Sequence, residues 1–365
     1  MALAISAYSQ DQLEDWGFTS SMIVKRQQVA VVTSGDYIYA FGGTGKWATD
    51  PYSTVERARI NSDGTLGKWI LETDTLPIPV YGAEAIAVDD YIYVIAGNQH
   101  PYAPTTAVQR AEVNPDGSLQ SWQQMSTLNN QRVNPAVCEY QDYIYVMGGN
   151  PSKALNSVEY AQINPDGSLS SWQYTSASQV GRWLPTAQAY NGYVYLIGGF
   201  NGGPNSTVEY AAINPDGSLS EWSYTSSLTV PRSGSPGSAL LNGYLYALVG
   251  DNNSDGCLNT VEKAYINSDG TLGTWVLESD TLVDRITIAG CAQKGIHVYL
   301  VGGGDAVDST LDDVQVNGFD SSDRVCGDAD CTYTVDIDDV VYLIQYIFQG
   351  GIAPCDPSGD GVPDC

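Results

Sequence analysis

A repeated unit ending in tryptophan constrains the fold of this chain more than any other feature. The clearest copy is INPDGSLSEW at residues 213–222, with close variants at 60–69, 113–122, 163–172 and 266–275 and a more divergent one, AYSQDQLEDW, at 7–16. The closing tryptophans are spaced 53, 53, 50, 50 and 53 residues apart: Trp16, Trp69, Trp122, Trp172, Trp222 and Trp275. A period of about 50 residues predicts a repeat array or a β-propeller. The repeat extends to about residue 319, and residues 320–365 are a different kind of sequence.

Each period contains four short runs that are typical of β-strands. In one period they are TAQAY at 186–190, YVYLIGG at 193–199, STVEYAAIN at 206–214 and SLSEWSY at 218–224. Asn191-Gly192 and Asp216-Gly217 lie between consecutive runs, and both dipeptides are hairpin-turn signals. Four antiparallel strands per period predict one propeller blade per repeat and an all-β fold.

A double glycine ends the second run at 42–43, 148–149, 198–199 and 302–303, and it becomes Ala96-Gly97 and Val249-Gly250 in the other two periods. Glycine fits a position where a side chain would collide with the neighbouring blade. The apolar run, the double glycine, the Tyr or Glu-Tyr that follows and the closing Trp together resemble the Kelch repeat. The resemblance covers roughly residues 1–319 and implies a six-bladed Kelch-like β-propeller.

The order of the runs predicts how the ring closes. The chain begins with the fourth strand that carries Trp16, and the repeat ends with a first, second and third strand at 286–293, 296–303 and 311–318. The N-terminal segment from Leu13 to Phe18 should therefore supply the outer strand of the sixth blade. This closure removes the open strand edges that a linear array would expose.

Composition narrows the classes of partner. The formal net charge of −27, with 15 basic residues, argues against nucleic acid and against anionic membranes. No apolar run approaches the ~18–20 residues that a membrane-spanning helix needs. Four of the seven cysteines lie in the last 40 residues, which predicts a disulfide-bonded extracellular tail. Two glycosylation sequons, at Asn205 and Asn252, are compatible with an extracellular or cell-surface protein.

The connections between second and third strands vary from blade to blade, so we expect ligands to bind on the face that carries them. Ten residues after each closing tryptophan, five of the six positions are arginine: Arg26, Arg132, Arg182, Arg232 and Arg285. These arginines either belong to the Kelch-like pattern and pair with acidic neighbours, or form a rim that binds a carboxylate, a sugar acid or an acidic peptide. Trp47 and Trp183, on the same face, either stack on sugars or pack in the interior.

The residues give little support to catalysis. Kelch-type copper oxidases that resemble galactose oxidase need two histidine ligands, whereas the two histidines here, His100 and His297, belong to different blades. The Asp-Gly unit also differs in spacing from the Asp-box of sialidases. We therefore expect a protein that is not an enzyme, with a sugar-modifying enzyme as the weaker alternative.

The tail, residues 320–365, predicts calcium binding. A first set of oxygen-bearing residues falls at positions 1, 3, 5, 7, 9 and 12 of a calcium loop: Asp328, Asp330, Thr332, Thr334, Asp336 and Asp339. A predicted helix, 337–348, follows it, and a second loop would begin with Asp356, Ser358, Asp360 and Asp364. The loop and helix resemble one half of a dockerin, although Thr332 and Tyr333 depart from the acidic residue and the glycine expected at positions 5 and 6. The alternative is an acidic, disulfide-bonded tail without calcium.

The sequence therefore predicts two parts, a propeller at 1–319 and a dockerin-like tail with an incomplete second repeat at 320–365. The resemblance to dockerins implies that the tail attaches to a protein partner, which would be a cohesin-like domain or another copy of the chain. The most direct functional hypothesis is calcium-dependent attachment or polymerisation, with the propeller as scaffold. The alternative is a carbohydrate- or anion-binding module that uses the arginine rim.

Overall fold

The structure is a computed structural model, and it describes residues 13, 15–45, 50–100, 102–150, 152–252, 254–305 and 309–318. The chain divides into two units, Met1–Asn317 and Gly318–Cys365. Almost all of the described residues belong to the first unit. The domain boundary near residue 319 and the calcium loops of the tail therefore stay predictions, because they lie outside the described residues. The described residues contain no helix that is long and apolar enough to cross a membrane.

The described residues form six four-stranded antiparallel sheets, each of which is one blade of a β-propeller. Blade 1 contains β2 (Ala30–Ser34), β3 (Tyr37–Phe41), β4 (Val55–Arg59) and β5 (Ile70–Leu71). Blade 2 contains β6 (Glu84–Val88), β7 (Tyr91–Ile95), β10 (Val108–Glu112) and β11 (Gln123–Gln124), with a small hairpin of β8 (Asn98–Gln99) and β9 (Ala103–Pro104) between its second and third strands. Blade 3 contains β12 (Ala136–Tyr140), β13 (Tyr143–Met147), β14 (Val158–Gln162) and β15 (Gln173–Thr175).

The second half of the ring repeats this pattern. Blade 4 contains β16 (Thr186–Tyr190), β17 (Tyr193–Ile197), β18 (Val208–Ala212) and β19 (Ser223–Tyr224). Blade 5 contains β20 (Gly237–Leu241), β21 (Tyr244–Leu248), β24 (Val261–Tyr265) and β25 (Val276–Leu277), with the hairpin β22 (Asp251–Asn252) and β23 (Gly256–Cys257). Blade 6 contains β26 (Gly290–Lys294), β27 (His297–Val301), β28 (Val314–Val316) and, from the start of the chain, β1 (Gly17–Thr19).

The ring closes through the N-terminal strand, as the sequence predicts. β1 pairs antiparallel with β28, so that Gly17 lies opposite Val316 and Thr19 opposite Val314. Leu13 and Trp16, just before β1, are buried in a cluster of apolar side chains from blades 5 and 6. The six-bladed all-β fold and its closure are therefore confirmed.

The apolar core lies between adjacent blades. One cluster joins Tyr93 and Ile95 of blade 2 to Ile144 and Val146 of blade 3, and the other interfaces are similar. The tryptophan indoles cross these interfaces and donate to backbone carbonyls of the preceding blade: Trp69 to Ser20, Trp172 to Ser126, Trp222 to Ser176 and Trp275 to Ser226, at 2.8–3.0 Å. Each such hydrogen bond contributes about 0.5–1.5 kcal/mol. Four of the six tryptophans that define the repeat therefore join one blade to the next by a hydrogen bond.

A second set of hydrogen bonds joins five of the blades to the blade that follows in the ring. A tyrosine hydroxyl in the second strand donates to the glycine carbonyl of the next blade's Asp-Gly turn: Tyr39 to Gly117, Tyr93 to Gly167, Tyr145 to Gly217, Tyr195 to Gly270 and Tyr299 to Gly64. This set links blade 6 to blade 1 through Tyr299 at 2.7 Å. The Asp-Gly turns at these positions thus have a structural role, since they connect neighbouring blades.

Two faces of the propeller are distinct. The hairpin face carries the connections between second and third strands (42–54, 96–107, 148–157, 198–207, 249–260 and 302–313) and the links from each fourth strand to the next blade. The turn face carries the turns between first and second strands (35–36, 89–90, 141–142, 191–192, 242–243 and 295–296) and the Asp-Gly turns. Between the faces runs a central channel lined by the first strand of every blade, with a volume of about 390 Å³.

The channel is narrow at the hairpin face, because the backbone joins around it there. One residue from each blade forms this backbone ring: Gln28, Gly82, Asn134, Leu184, Gly234 and Ile288. Five backbone hydrogen bonds of 2.7–3.1 Å join consecutive members, and with the donor given first they are Gln28 to Ile288, Gly82 to Gln28, Asn134 to Gly82, Leu184 to Asn134 and Ile288 to Gly234. At the turn-face end the first strands are more exposed, as at Tyr190 and Lys294. A hydrogen-bonded backbone ring therefore borders the hairpin-face end of the channel, and more exposed residues border the turn-face end.

Candidate functional site

Four of the five arginines proposed for an anion-binding rim are buried inside their blades. Arg26, Arg132, Arg182 and Arg232 have no exposed surface. Arg132 shows the arrangement: Nη1 donates to the carbonyls of Gly148 at 2.6 Å and Ser157 at 3.0 Å, and Nη2 donates to Glu159 at 2.8 Å. Burial lowers the pKa of this guanidinium, and Glu159 opposes the shift.

A buried glutamate in the third strand accompanies each buried arginine. The pairs are Arg26–Glu56, Arg132–Glu159, Arg182–Glu209 and Arg232–Glu262, and both side chains of every pair are fully buried. Each glutamate also accepts from the backbone of the loop that enters its blade; Glu159, for example, accepts from the N–H groups of Asn129 at 2.6 Å and Asn130 at 3.1 Å. Arginine and glutamate together hold the link between blades against the sheet.

The two blades without a buried arginine have glutamine in place of the glutamate. Blade 2 combines Pro79 with Gln109, and blade 6 combines Arg285 with Gln315. Gln109 accepts from the backbone N–H of Ile78 at 2.8 Å and donates to its carbonyl at 3.1 Å, so a neutral amide satisfies the same loop where no cation is present. The sequence contained this signal, because glutamate occurs only where the arginine is buried. Sequence reasoning did not use it.

The prediction of an accessible arginine rim needs correction for these four residues. A guanidinium with no exposed surface, paired with a buried glutamate, does not contact a ligand on the propeller surface. Arg285 differs, because its side chain is exposed and its contacts to the carbonyls of Asp255 and Cys257 are long, at 3.4 and 3.5 Å. The structure thus favours the structural interpretation of the pattern, with Arg285 as the exposed exception.

The hairpin face presents short hairpins that differ in sequence. β8–β9 and β22–β23 are two of them, and single bridges at Thr44–Pro51, Phe200–Pro204 and Gly304–Thr310 form three more. Trp183 lies partly exposed on this face, and its ring meets that of Phe200 edge-on with 5.8 Å between centroids. Tyr102, 54% exposed, donates to the carbonyl of Asn150 in the next blade. The aromatic side chains are thus presented at the surface, while Trp47 lies outside the described residues.

The two predicted glycosylation asparagines are on the hairpin face and partly exposed. The Asn205 side-chain oxygen accepts from the backbone N–H of Thr207 at 2.8 Å. The Asn252 side-chain nitrogen, to which a glycan would be attached, donates to Asp255 at 2.9 Å. Glycosylation at both positions stays a prediction.

The central channel contains two carboxylates that sequence reasoning did not single out, Glu84 and Glu139. Burial raises the pKa of Glu84 to about 8. Burial, and to a lesser degree Asp89, raises the pKa of Glu139 as well. Burial is also the main reason why the pKa of the nearby Cys291 thiol is raised to about 12, and the Glu84 carboxylate adds to that shift.

Within the described ranges, no group of three or more His, Cys, Asp or Glu side chains is arranged to hold a metal ion. Three cysteines of the propeller, Cys138, Cys257 and Cys291, are free thiols. The ten residues predicted to bind calcium lie outside the described residues: Asp328, Asp330, Thr332, Thr334, Asp336, Asp339, Asp356, Ser358, Asp360 and Asp364.

Comparison with known proteins supports the fold and leaves the activity open. No family model matches the chain, and no curated protein matches it. Among solved structures, that of YjhT is similar, with a TM-score of 0.62 and 14% sequence identity over 81% of this chain and 95% of that chain. At this identity the similarity concerns the propeller fold alone.

Proposed function

We propose that this chain is an extracellular or cell-surface binding and assembly protein. In this proposal the propeller is of the Kelch type and serves as a rigid scaffold, and the tail is dockerin-like and attaches the scaffold in a calcium-dependent way. The partner is a cohesin-like domain or another copy of the chain. Catalysis has no part in the proposal.

The scaffold part of the proposal rests on the structure of the hairpin face. Its hairpins differ from blade to blade, while the inter-blade hydrogen bonds and the Asp-Gly turns are nearly uniform. Variable loops held by a regular, closed framework are a common arrangement for recognition. Pairing of β1 with β28 also covers the edge that β28 would otherwise expose, which suits a building block that must not associate through that strand.

The assembly part of the proposal rests on the sequence of the tail. Oxygen ligands at alternate positions, closed by a carboxylate at position 12, are the arrangement that Ca²⁺ prefers. The predicted helix at 337–348 carries apolar residues at Val340, Val341, Ile344 and Ile347, which could pack against a partner. Association through such a helix with the next copy would be heterologous, and it would propagate into a ring or a filament.

Changing two predicted calcium ligands tests this proposal. The double variant Asp328→Asn/Asp330→Asn should weaken calcium binding at least tenfold, because it removes two of the anionic ligands from the first loop. Calcium titration by calorimetry measures the affinity, and sedimentation measures the loss of association. The matched control is Asp74→Asn/Asp284→Asn, which removes two exposed carboxylates of the propeller. Equal calcium affinity in the two double variants would contradict the assignment.

A second candidate function, carbohydrate binding, is favoured by the aromatic pair on the hairpin face. Trp183 is partly exposed beside Phe200, and a flat aromatic surface suits the apolar face of a sugar ring. This version of the carbohydrate hypothesis does not depend on the buried arginines.

Trp183→Ala should weaken binding of an oligosaccharide selected on a glycan array by roughly fivefold, equivalent to about 1 kcal/mol of lost stacking. Fluorescence titration measures the change in Kd. Tyr174→Ala is the matched control, because Tyr174 is an aromatic residue that is 55% exposed on β15, the outer strand of blade 3. An array without any bound glycan would remove the candidate.

A further inference from the structure

The carboxylate of Glu84 lies in the channel at a position where the fold does not require it. Glu84 is the first residue of the innermost strand of its blade. The residues that begin the other five innermost strands are small or carry a hydroxyl: Ala30, Ala136, Thr186, Gly237 and Gly290. Because five blades fold with such residues, the carboxylate has no evident structural task.

Among the described residues, Glu84 and Glu139, the two glutamates of the channel, differ from the glutamates paired with arginine inside the blades in having no partner. Glu159 and its equivalents are each neutralised by an arginine and bonded to backbone N–H groups. Within the described part of the chain, no hydrogen-bond donor or basic group is paired with the Glu84 carboxylate, and the side chain is partly exposed to the channel. This pattern is expected of a group whose counter-ion is a ligand.

The channel around Glu84 suits a small molecule with an apolar body and a positive charge. Its volume of about 390 Å³ is within the usual range of ligand sites. Its walls combine small aliphatic side chains such as Ala85 and Val137 with hydroxyl and amide side chains such as Thr186 and Gln188, and no Lys, Arg or His is among the described residues that line it. The turns at its turn-face end contain Asp36, Asp89, Asp90 and Asp142, which raise the local concentration of cations at the entrance.

We propose that the central channel binds a small organic cation, with Glu84 as its counter-ion and the aliphatic side chains of the walls in contact with its carbon atoms. The ligand enters from the turn face, because the backbone ring narrows the opposite end. An organic cation fits better than a metal ion, since the described residues bring no group of three or more His, Cys, Asp or Glu side chains together to ligate one. This inference is independent of the tail and of the proposed assembly.

The titration of Glu84 gives the site a characteristic pH dependence. With its pKa near 8, the fraction of Glu84 that is ionised rises about tenfold from pH 7 to pH 9. The other titratable groups in the channel are Glu139, Cys138 and Cys291. Lys294, at the turn end, donates to the carbonyl of Gly35. A cation with a permanent charge should therefore bind more tightly as the pH rises through about 8.

Choline and its neutral carbon isostere, 3,3-dimethylbutan-1-ol, provide a matched pair of probes. They have nearly the same shape, and only choline is charged at every pH. Calorimetric titrations use the full chain in the presence of a chelator, so that calcium binding by the tail does not contribute. We expect choline to bind at least tenfold more tightly than the alcohol at pH 9, and about tenfold more tightly at pH 9 than at pH 7.

Glu84→Gln should weaken choline binding at least tenfold and remove its pH dependence. The control, Glu221→Gln, changes an exposed carboxylate on the outside of the ring and should have no effect. Equal affinity for choline and the alcohol, no detectable binding of choline, or unchanged binding in Glu84→Gln would each overturn the proposal. A divalent metal that competes with choline in the native chain but binds more tightly than any organic cation tested would also overturn it.

The thermal stability of Glu84→Gln tests whether this variant folds and whether the Glu84 carboxylate of the native chain is desolvated. The pKa of Glu84 is raised in the folded chain from an ordinary value of 4.5 to about 8, so its ionisation destabilises the folded state as the pH rises through that range. Glu84→Gln has no such ionisation. Its melting temperature should therefore fall less between pH 6 and pH 9 than that of the native chain, whereas an equal fall would show that Glu84 is not desolvated.

Discussion

Arg132→Leu should lower the free energy of unfolding by about 3–5 kcal/mol, because it leaves Glu159 as an uncompensated charge in the interior. It also removes donors from the carbonyls of Gly148 and Ser157. Chemical denaturation followed by tryptophan fluorescence measures the loss. We expect an effect of this size because neither side chain of the pair has any contact with water.

Blade 2 of the same chain suggests a second substitution that should recover part of the lost stability. Adding Glu159→Gln to Arg132→Leu should restore at least half of the lost stability, because blade 2 already uses Gln109 without an arginine. Arg285→Leu is the matched control, and its exposed position predicts a change within about 0.5 kcal/mol. If Arg132→Leu were no more destabilising than Arg285→Leu, or if Glu159→Gln increased the loss, the structural role of the buried pairs would be refuted.

Changes in the N-terminal segment that closes the ring should lower the free energy of unfolding by a similar amount. Leu13 is completely buried among side chains of blades 5 and 6, and Leu13→Ala should cost about 2–5 kcal/mol through lost burial and the cavity that remains. Deleting residues 1–19 should cost more, because it also removes Trp16 and the pairing of β1 with β28.

Thermal and chemical denaturation measure both changes. Ile23→Ala is the matched control, since Ile23 is a similar aliphatic residue in the same segment but 52% exposed. We expect it to change stability by no more than about 0.5 kcal/mol. Adding a peptide of residues 1–19 to the deleted chain should restore part of the lost stability. A deletion that left stability unchanged would contradict closure through the N-terminal strand.

The repeat made the architecture predictable, because its period counts the blades and its order fixes the closure. The strand TAQAY at 186–190 coincides with β16, and the first glycine of each double glycine lies where a Cβ would collide with the next blade. At Gly42, whose φ is +59°, a Cβ would be 2.3 Å from the carbonyl oxygen of Val80. Turn and packing signals of this kind are local, so one sequence is enough to interpret them.

The functional surface was less predictable, because spacing along the chain places a side chain at one end of a blade but does not give its direction. Arg132 and Arg285 occupy the same position of the repeat, yet one is buried and the other exposed. The difference depends on a residue about 30 positions later, which is Glu159 in one blade and Gln315 in the other. Glu84 could not be recognised at all, because only the closed ring places its carboxylate in a channel without a partner.

Particle mass is the most direct test of the assembly proposal. Light scattering and electron microscopy of the full chain, first in calcium and then in excess chelator, compare the two states of the tail. If the tail attaches to another copy in a calcium-dependent way, the full chain should form large or filamentous particles in calcium and dissociate to single chains in chelator. A chain that ends at residue 319 should be a single chain in both conditions. A full chain that stays a single chain in both conditions would contradict self-assembly. If the full chain also failed to bind a cohesin-like domain in calcium, the attachment role would be contradicted altogether.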